Sequence, residues 1–234
     1  MSADVKKDTL ICPECGAPIN INNHYRCSRF PVCLYRVPKD MDFVPDQDAY
    51  IVFDFETSGL DRRKDRIIEI GAMKIINGKC VSTFSSLLNP GKTQKGTQIY
   101  ISSEITRITG ITNQDLEGKP TETEGLIKFI GWCSGVDTLV GHNIDRFDIP
   151  FMKAACKRAQ ISFPFTYSMD TLKFVRSLGL KRNGFIVDEK QTTLAEYVGF
   201  TYSAHRALDD VKALYKILIE LYKQGAPVAI PIGK

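Results

Sequence analysis

Residues 50–57 read Tyr50-Ile51-Val52-Phe53-Asp54-Phe55-Glu56-Thr57, an apolar stretch with two acids set one residue apart. Its β-branched and aromatic content predicts a buried strand. Side chains alternate along a strand, so Asp54 and Glu56 share one face and Phe53 and Phe55 the other. Two carboxylates side by side repel each other and lose hydration, which is tolerated when cations sit between them. A strand end with solvated acids is the plainer alternative. The turn that follows, Thr57-Ser58-Gly59-Leu60, would let backbone approach a ligand and favours a site.

Outward from this strand, 67–76 and 79–88 read as two further strands joined by Asn77-Gly78, a strong hairpin signal. Thr138–Gly141 is a fourth short strand. Helical spacing appears at about 102–109, 123–133, 150–159, 171–178, 193–198 and 207–222. A leading hairpin followed by mixed helices and strands predicts an α/β layer fold with an antiparallel portion.

The last helix carries the second acid of interest. Ala207, Val211, Leu214, Leu218 and Leu221 form one apolar stripe. At about 100° per residue Asp210 falls inside that stripe, while Asp209 points the other way into solvent. His205 cannot share a helical face with Asp210, which puts it at the start of the helix or in the preceding loop.

A third segment, Gly141-His142-Asn143-Ile144-Asp145-Arg146-Phe147-Asp148-Ile149-Pro150, leads into an apolar arc of Phe147, Phe151, Ala155 and Ala159. Pro150 belongs in the first turn of a helix, so Asp148 sits at its start and Asp145 outside it. Asp148 is the preferred third-segment acid, with Asp145 as the alternative. Carboxylate oxygens at this density suit magnesium or manganese ahead of zinc. Two such ions about 3.5–4 Å apart stabilise an in-line phosphoryl displacement. A nearby histidine can take the proton of an attacking water.

Residues 1–36 have a different character. Cys12-x2-Cys15-x11-Cys27-x5-Cys33 offers four thiolates, enough for a closed tetrahedral zinc site, against a disulfide or free-thiol alternative. Residues 37–48 read as a linker, 49–224 as the main domain and 225–234 as a loosely packed tail. The remaining cysteines, Cys80, Cys133 and Cys156, read as small buried apolar residues. The 234 residues carry a net charge of +4, which permits a nucleic-acid partner without requiring one. No apolar run approaches the ~20 residues of a membrane span, and the first residues lack a secretory pattern, so a cytoplasmic protein without a membrane partner is expected.

Two resemblances add to these readings. Cys12-Pro13-Glu14-Cys15-Gly16 with Tyr25-Arg26-Cys27-Ser28-Arg29-Phe30-Pro31-Val32-Cys33 resembles the C-terminal zinc fingers of bacterial type I topoisomerases. That implies one structural zinc and contact with single-stranded DNA, with protein docking as the alternative. Asp54-Phe55-Glu56-Thr57-Ser58-Gly59-Leu60, His142-Asn143 with Phe147-Asp148, and His205-Arg206-Ala207-Leu208-Asp209-Asp210 resemble the three motifs of the DEDDh exonucleases, which include the proofreading subunit of bacterial replicative polymerase. The second likeness spans residues 48–222. One spacing differs, an extra residue between Asn143 and Phe147.

The DEDDh resemblance implies a ribonuclease H-like fold with a mixed five-stranded sheet flanked by helices. It implies two magnesium or manganese ions on Asp54, Glu56, Asp148 and Asp210, with His205 activating water. Nucleoside 5′-monophosphates would leave from a free 3′ end. Backbone near Thr57 would hold the terminal 3′-hydroxyl, Leu60 would wedge against the terminal bases, and Asn143 would join the substrate contacts. Single-stranded DNA is the favoured substrate. RNA 3′-end trimming and a catalytically silent nucleic-acid adaptor are the alternatives, and a replication or repair protein is a possible partner.

Overall fold

The computed structural model describes residues 19–20, 25–27, 36–37, 49–93, 95–222 and 230–232. Three short antiparallel strands come first: β1 (Ile19–Asn20), β2 (Tyr25–Cys27) and β3 (Arg36–Val37). Cys12, Cys15 and Cys33 lie outside the described residues, and so does the linker from residue 38 to 48. Cys27 is described only as a backbone position in β2.

The main domain opens with β4 (Ala49–Thr57), β5 (Ile67–Ile76) and β6 (Lys79–Leu87), paired as an antiparallel meander. Asn77 and Gly78 both take positive φ at the β5–β6 turn, the conformation that the Asn-Gly signal anticipates. Helices α1 (Ser103–Thr109), α2 (Asn113–Leu116) and α3 (Glu122–Trp132) follow. Next come β7 (Thr138–Gly141), α4 (Asp148–Ala159), β8 (Tyr167–Asp170), α5 (Thr171–Leu178), α6 (Gln191–Tyr197), α7 (Ala207–Tyr222) and β9 (Ile230–Pro231).

Strand order is β6-β5-β4-β7-β8-β9, with β4, β7 and β8 parallel and the remaining pairings antiparallel. Five strands form the mixed sheet expected from the sequence, and β9 adds a two-residue edge. The tail is therefore not wholly loose, since Ile230 pairs with Ser168 and Ile232 packs against the core.

The sheet is covered on both faces. Ile51, Phe53 and Phe55 pack with Phe129 of α3 and Phe151 and Met152 of α4. Tyr50 and Val52 pack with Val211, Leu214 and Leu218 of α7. The alternation of β4 thus puts Asp54 and Glu56 on the α7 side, at the end of the strand where the apolar run stops. Cys133 and Cys156 are buried as expected, but Cys80 is exposed because β6 is an edge strand with one face in solvent.

Candidate active site

The site lies at the carboxyl end of β4, where three elements deliver one acid each or more. β4 supplies Asp54 and Glu56. In the β4–β5 register, Asp54 stands opposite Gly71 and Glu56 opposite Glu69. A Cβ on Gly71 would lie 2.2 Å from the Ala207 carbonyl carbon, so the start of α7 rests directly on the sheet there. No larger residue would let the helix come so close.

Glu69 fixes that contact. Its carboxylate accepts the Ala207 N–H at 3.1 Å and meets the Arg206 guanidinium at 3.2 Å, capping the positive end of α7. Asp210 then projects from the first turn towards Asp54 and Glu56. Carboxylate oxygens of these three residues lie within 4.8 Å of one another. Asp209 turns outward to Lys212, as the helical spacing requires.

β7 ends at Gly141, and β4 runs on past it. The chain loops through His142–Phe147 and begins α4 against this uncovered length of β4. Asp148, 3% exposed, accepts the Phe55 N–H at 3.3 Å. It stands outside the 4.8 Å triad but close enough for its charge to act on Asp54. Asp145 is committed elsewhere, to Lys173 at 2.5 Å and the Ser168 hydroxyl at 2.7 Å.

The electrostatics are those of uncompensated acids. Burial, followed by the charges of Asp148, Asp210 and Glu56, holds Asp54 well above the usual carboxylate range. Burial and the Asp210 charge push Glu56 up to about 8. Burial raises Asp148 to about 7 against the opposing Phe55 N–H. Asp210 is also raised by burial, opposed by its hydrogen bonds. Among the described residues no lysine or arginine forms an ion pair with any of the four. Such a set of hard oxygen donors, short of positive charge, fits magnesium or manganese.

His205 precedes α7 at φ +71°, a left-handed backbone that positions it outside the helix. It lines, with His142, Asn143 and Asp210, a cleft of ≈ 450 Å³ that also takes in Arg176, Lys190 and Tyr202. Asn143 likewise has φ +62°, held by its N–H bond of 2.9 Å to Asp170. Thr57 is buried and donates its hydroxyl to the Gly59 carbonyl at 2.7 Å, while Leu60 is 84% exposed on the loop beyond.

Several residues around the site are given no role by the sequence reading. Glu69 carried a signal, a lone acid within an apolar strand. Asp170 caps α5 and also accepts the N–H groups of Asn143 and Asp145, tying the β7–α4 loop to β8. Tyr202 and Gln191 reach Asp210 from the α5–α7 region, and nothing local in the sequence marks them.

Comparison with known proteins agrees with this geometry. Residues 51–218 match the RNase_T family, described as exonuclease. The chain is 37% identical over 185 residues to a DNA polymerase III PolC-type protein of Caldanaerobacter subterraneus, covering 79% of this chain and 12% of that much longer one. It is 32% identical over 179 residues to the DNA polymerase III subunit epsilon of Aquifex aeolicus, covering 75% of this chain and 81% of the relative. E. coli Exonuclease I in complex with a dA16 oligonucleotide shares the fold, with a TM-score of 0.66 at 18% identity over 76% of this chain and 41% of that one. A family match across most of the main domain, centred on the elements that gather the acids, places the chain in the RNase_T exonuclease family.

Proposed function

We propose that the chain is a metal-dependent 3′–5′ exonuclease that shortens DNA, single-stranded DNA foremost, and releases nucleoside 5′-monophosphates. One observation carries this: Asp54, Glu56 and Asp210 converge within 4.8 Å on an end of the sheet where, among the described residues, no lysine or arginine forms an ion pair with them. Asp54, Glu56, Asp148 and Asp210 would hold two magnesium or manganese ions. When bound, such ions supply charge stabilisation for in-line phosphoryl displacement.

The chain's own residues do the rest. Asp210 is held rigid by its hydrogen bonds. His205, outside the helix and lining the cleft, would take the proton of the attacking water. Thr57, with its turn, would meet the terminal 3′-hydroxyl. Exposed Leu60 would press against the terminal base, and Asn143 would contact the strand. The relatives are polymerase proteins and the fold neighbour was solved with a DNA oligonucleotide, which supports DNA ahead of RNA. A replication or repair assembly is the corresponding setting.

The four-cysteine segment is proposed as a structural zinc module that grips the strand. Its support is the cysteine spacing and the short β1–β3 sheet that runs between and beyond the cysteines. The test of function is a time course on 5′-labelled single-stranded DNA, RNA and duplex DNA, with magnesium or EDTA. Stepwise shortening of single-stranded DNA in magnesium is expected, and faster shortening of RNA would replace DNA as the substrate. No shortening of any strand would overturn the proposal.

A further inference from the structure

Asp210 takes more hydrogen bonds than any other acid of the site. Its Oδ2 accepts the backbone N–H of His205 at 2.7 Å and of Arg206 at 3.0 Å. Its Oδ1 accepts the Tyr202 hydroxyl at 2.8 Å. Tyr202 is itself oriented, because its hydroxyl oxygen accepts the Gln191 amide at 2.7 Å. The same amide nitrogen donates to the Asp210 carbonyl at 2.9 Å, so Gln191 locks the phenol to the helix turn that carries Asp210. Its 3.5 Å separation from Oδ1 is too long to compete.

A carboxylate offers about four lone-pair positions. Two backbone donors fill those of Oδ2, and the phenol takes one of those on Oδ1. One lone pair remains. Three donors from two directions also fix the plane of the group, which a single bond would not do.

We propose that Tyr202, oriented by Gln191, is a positioning residue that sets the Asp210 carboxylate so that Oδ1 presents one free lone pair to a divalent cation shared with Asp54 and Glu56. The proposal rests on the metal-dependent reading above and names residues that lie outside all three sequence motifs. Hydrogen-bond partners of metal-binding carboxylates typically contribute 10–100-fold to metal affinity.

The test is titration of manganese into the full chain without nucleic acid, for wild type, Tyr202→Phe and Gln191→Leu. Tyr202→Phe is expected to weaken manganese binding about 10-fold and Gln191→Leu by a smaller factor. The manganese concentration for half-maximal shortening should rise in parallel. The KM for a DNA strand at saturating manganese and the melting temperature in EDTA should stay as in wild type. Unchanged manganese affinity in Tyr202→Phe, with wild type binding normally, would overturn the positioning role alone. A loss that tracks a fall in EDTA melting temperature and in strand affinity would make Tyr202 a packing residue and also overturn it. Absence of manganese binding by wild type would instead overturn the metal-dependent reading itself.

Discussion

Glu122 and Asp54 are both acids taken out of water, but their surroundings differ in kind. Glu122, 7% exposed, meets Arg158 at 2.7 Å and Arg66 at 3.8 Å and accepts the Ile67 N–H at 2.9 Å. Asp54 faces Glu56, Asp148 and Asp210 and, among the described residues, forms no ion pair with a guanidinium. The first arrangement completes itself within the chain and ties α3 and α4 to the start of β5. The second has no such ion pair among the described residues, and the proposed divalent cations would supply the missing charge. A fold can bury acids for stability or hold them uncompensated for chemistry, and on the proposed function this chain does both within one sheet and its helices.

The contrast makes predictions of decreasing size. Asp148→Asn should reduce turnover by roughly 10³-fold or more, as expected when an essential charged group is lost. Asp145→Asn, which breaks a partly exposed pair worth about 0–1 kcal/mol, should leave turnover within a few-fold of wild type. Steady-state rates on a single-stranded oligonucleotide decide the matter, and the reverse ranking would move the third acid to Asp145.

Glu122→Gln should leave turnover per folded molecule nearly intact while lowering stability by roughly 3 kcal/mol, since two guanidinium groups lose their anion. Urea unfolding measures the loss. If activity fell and stability did not, Glu122 would belong with the site.

The smallest effect is on pH dependence. Glu56 is raised to about 8 and Asp148 to about 7, so the folded chain keeps protons that the unfolded chain releases. Their contribution is fully present below the ordinary carboxylate range, near pH 4, and is lost as pH rises to about 8. In EDTA the melting temperature should therefore fall between pH 5 and 8, by on the order of 5 °C. Glu56→Gln should flatten the slope, and magnesium should offset it. A wild-type slope no steeper than that of Glu56→Gln would remove the electrostatic half of the contrast.

Much of this was legible in the sequence where periodicity spoke. A period of two separated Asp54 and Glu56 from Phe53 and Phe55, and a period of 3.6 separated Asp210 from Asp209. Pro150 placed the start of α4 near Asp148. What was lost lies in contacts between distant segments. Asp145 and Asp148 are told apart by Lys173, 28 residues away from Asp145. Tyr202 and Gln191 acquire meaning only when α6 packs beside α7. β8 is too short, as Tyr-Ser-Met-Asp, for alternation to register, and the exposure of Cys80 follows from an edge position that only strand order reveals.

The most direct measurement is the shortening of a 5′-labelled single-stranded DNA in magnesium by wild type, Asp209→Ala and Asp210→Ala side by side. Wild type and Asp209→Ala should remove nucleotides stepwise from the 3′ end, and Asp210→Ala should leave the strand at full length. Equal shortening by all three would contradict the account that an uncompensated acid cluster at the end of β4 carries the reaction.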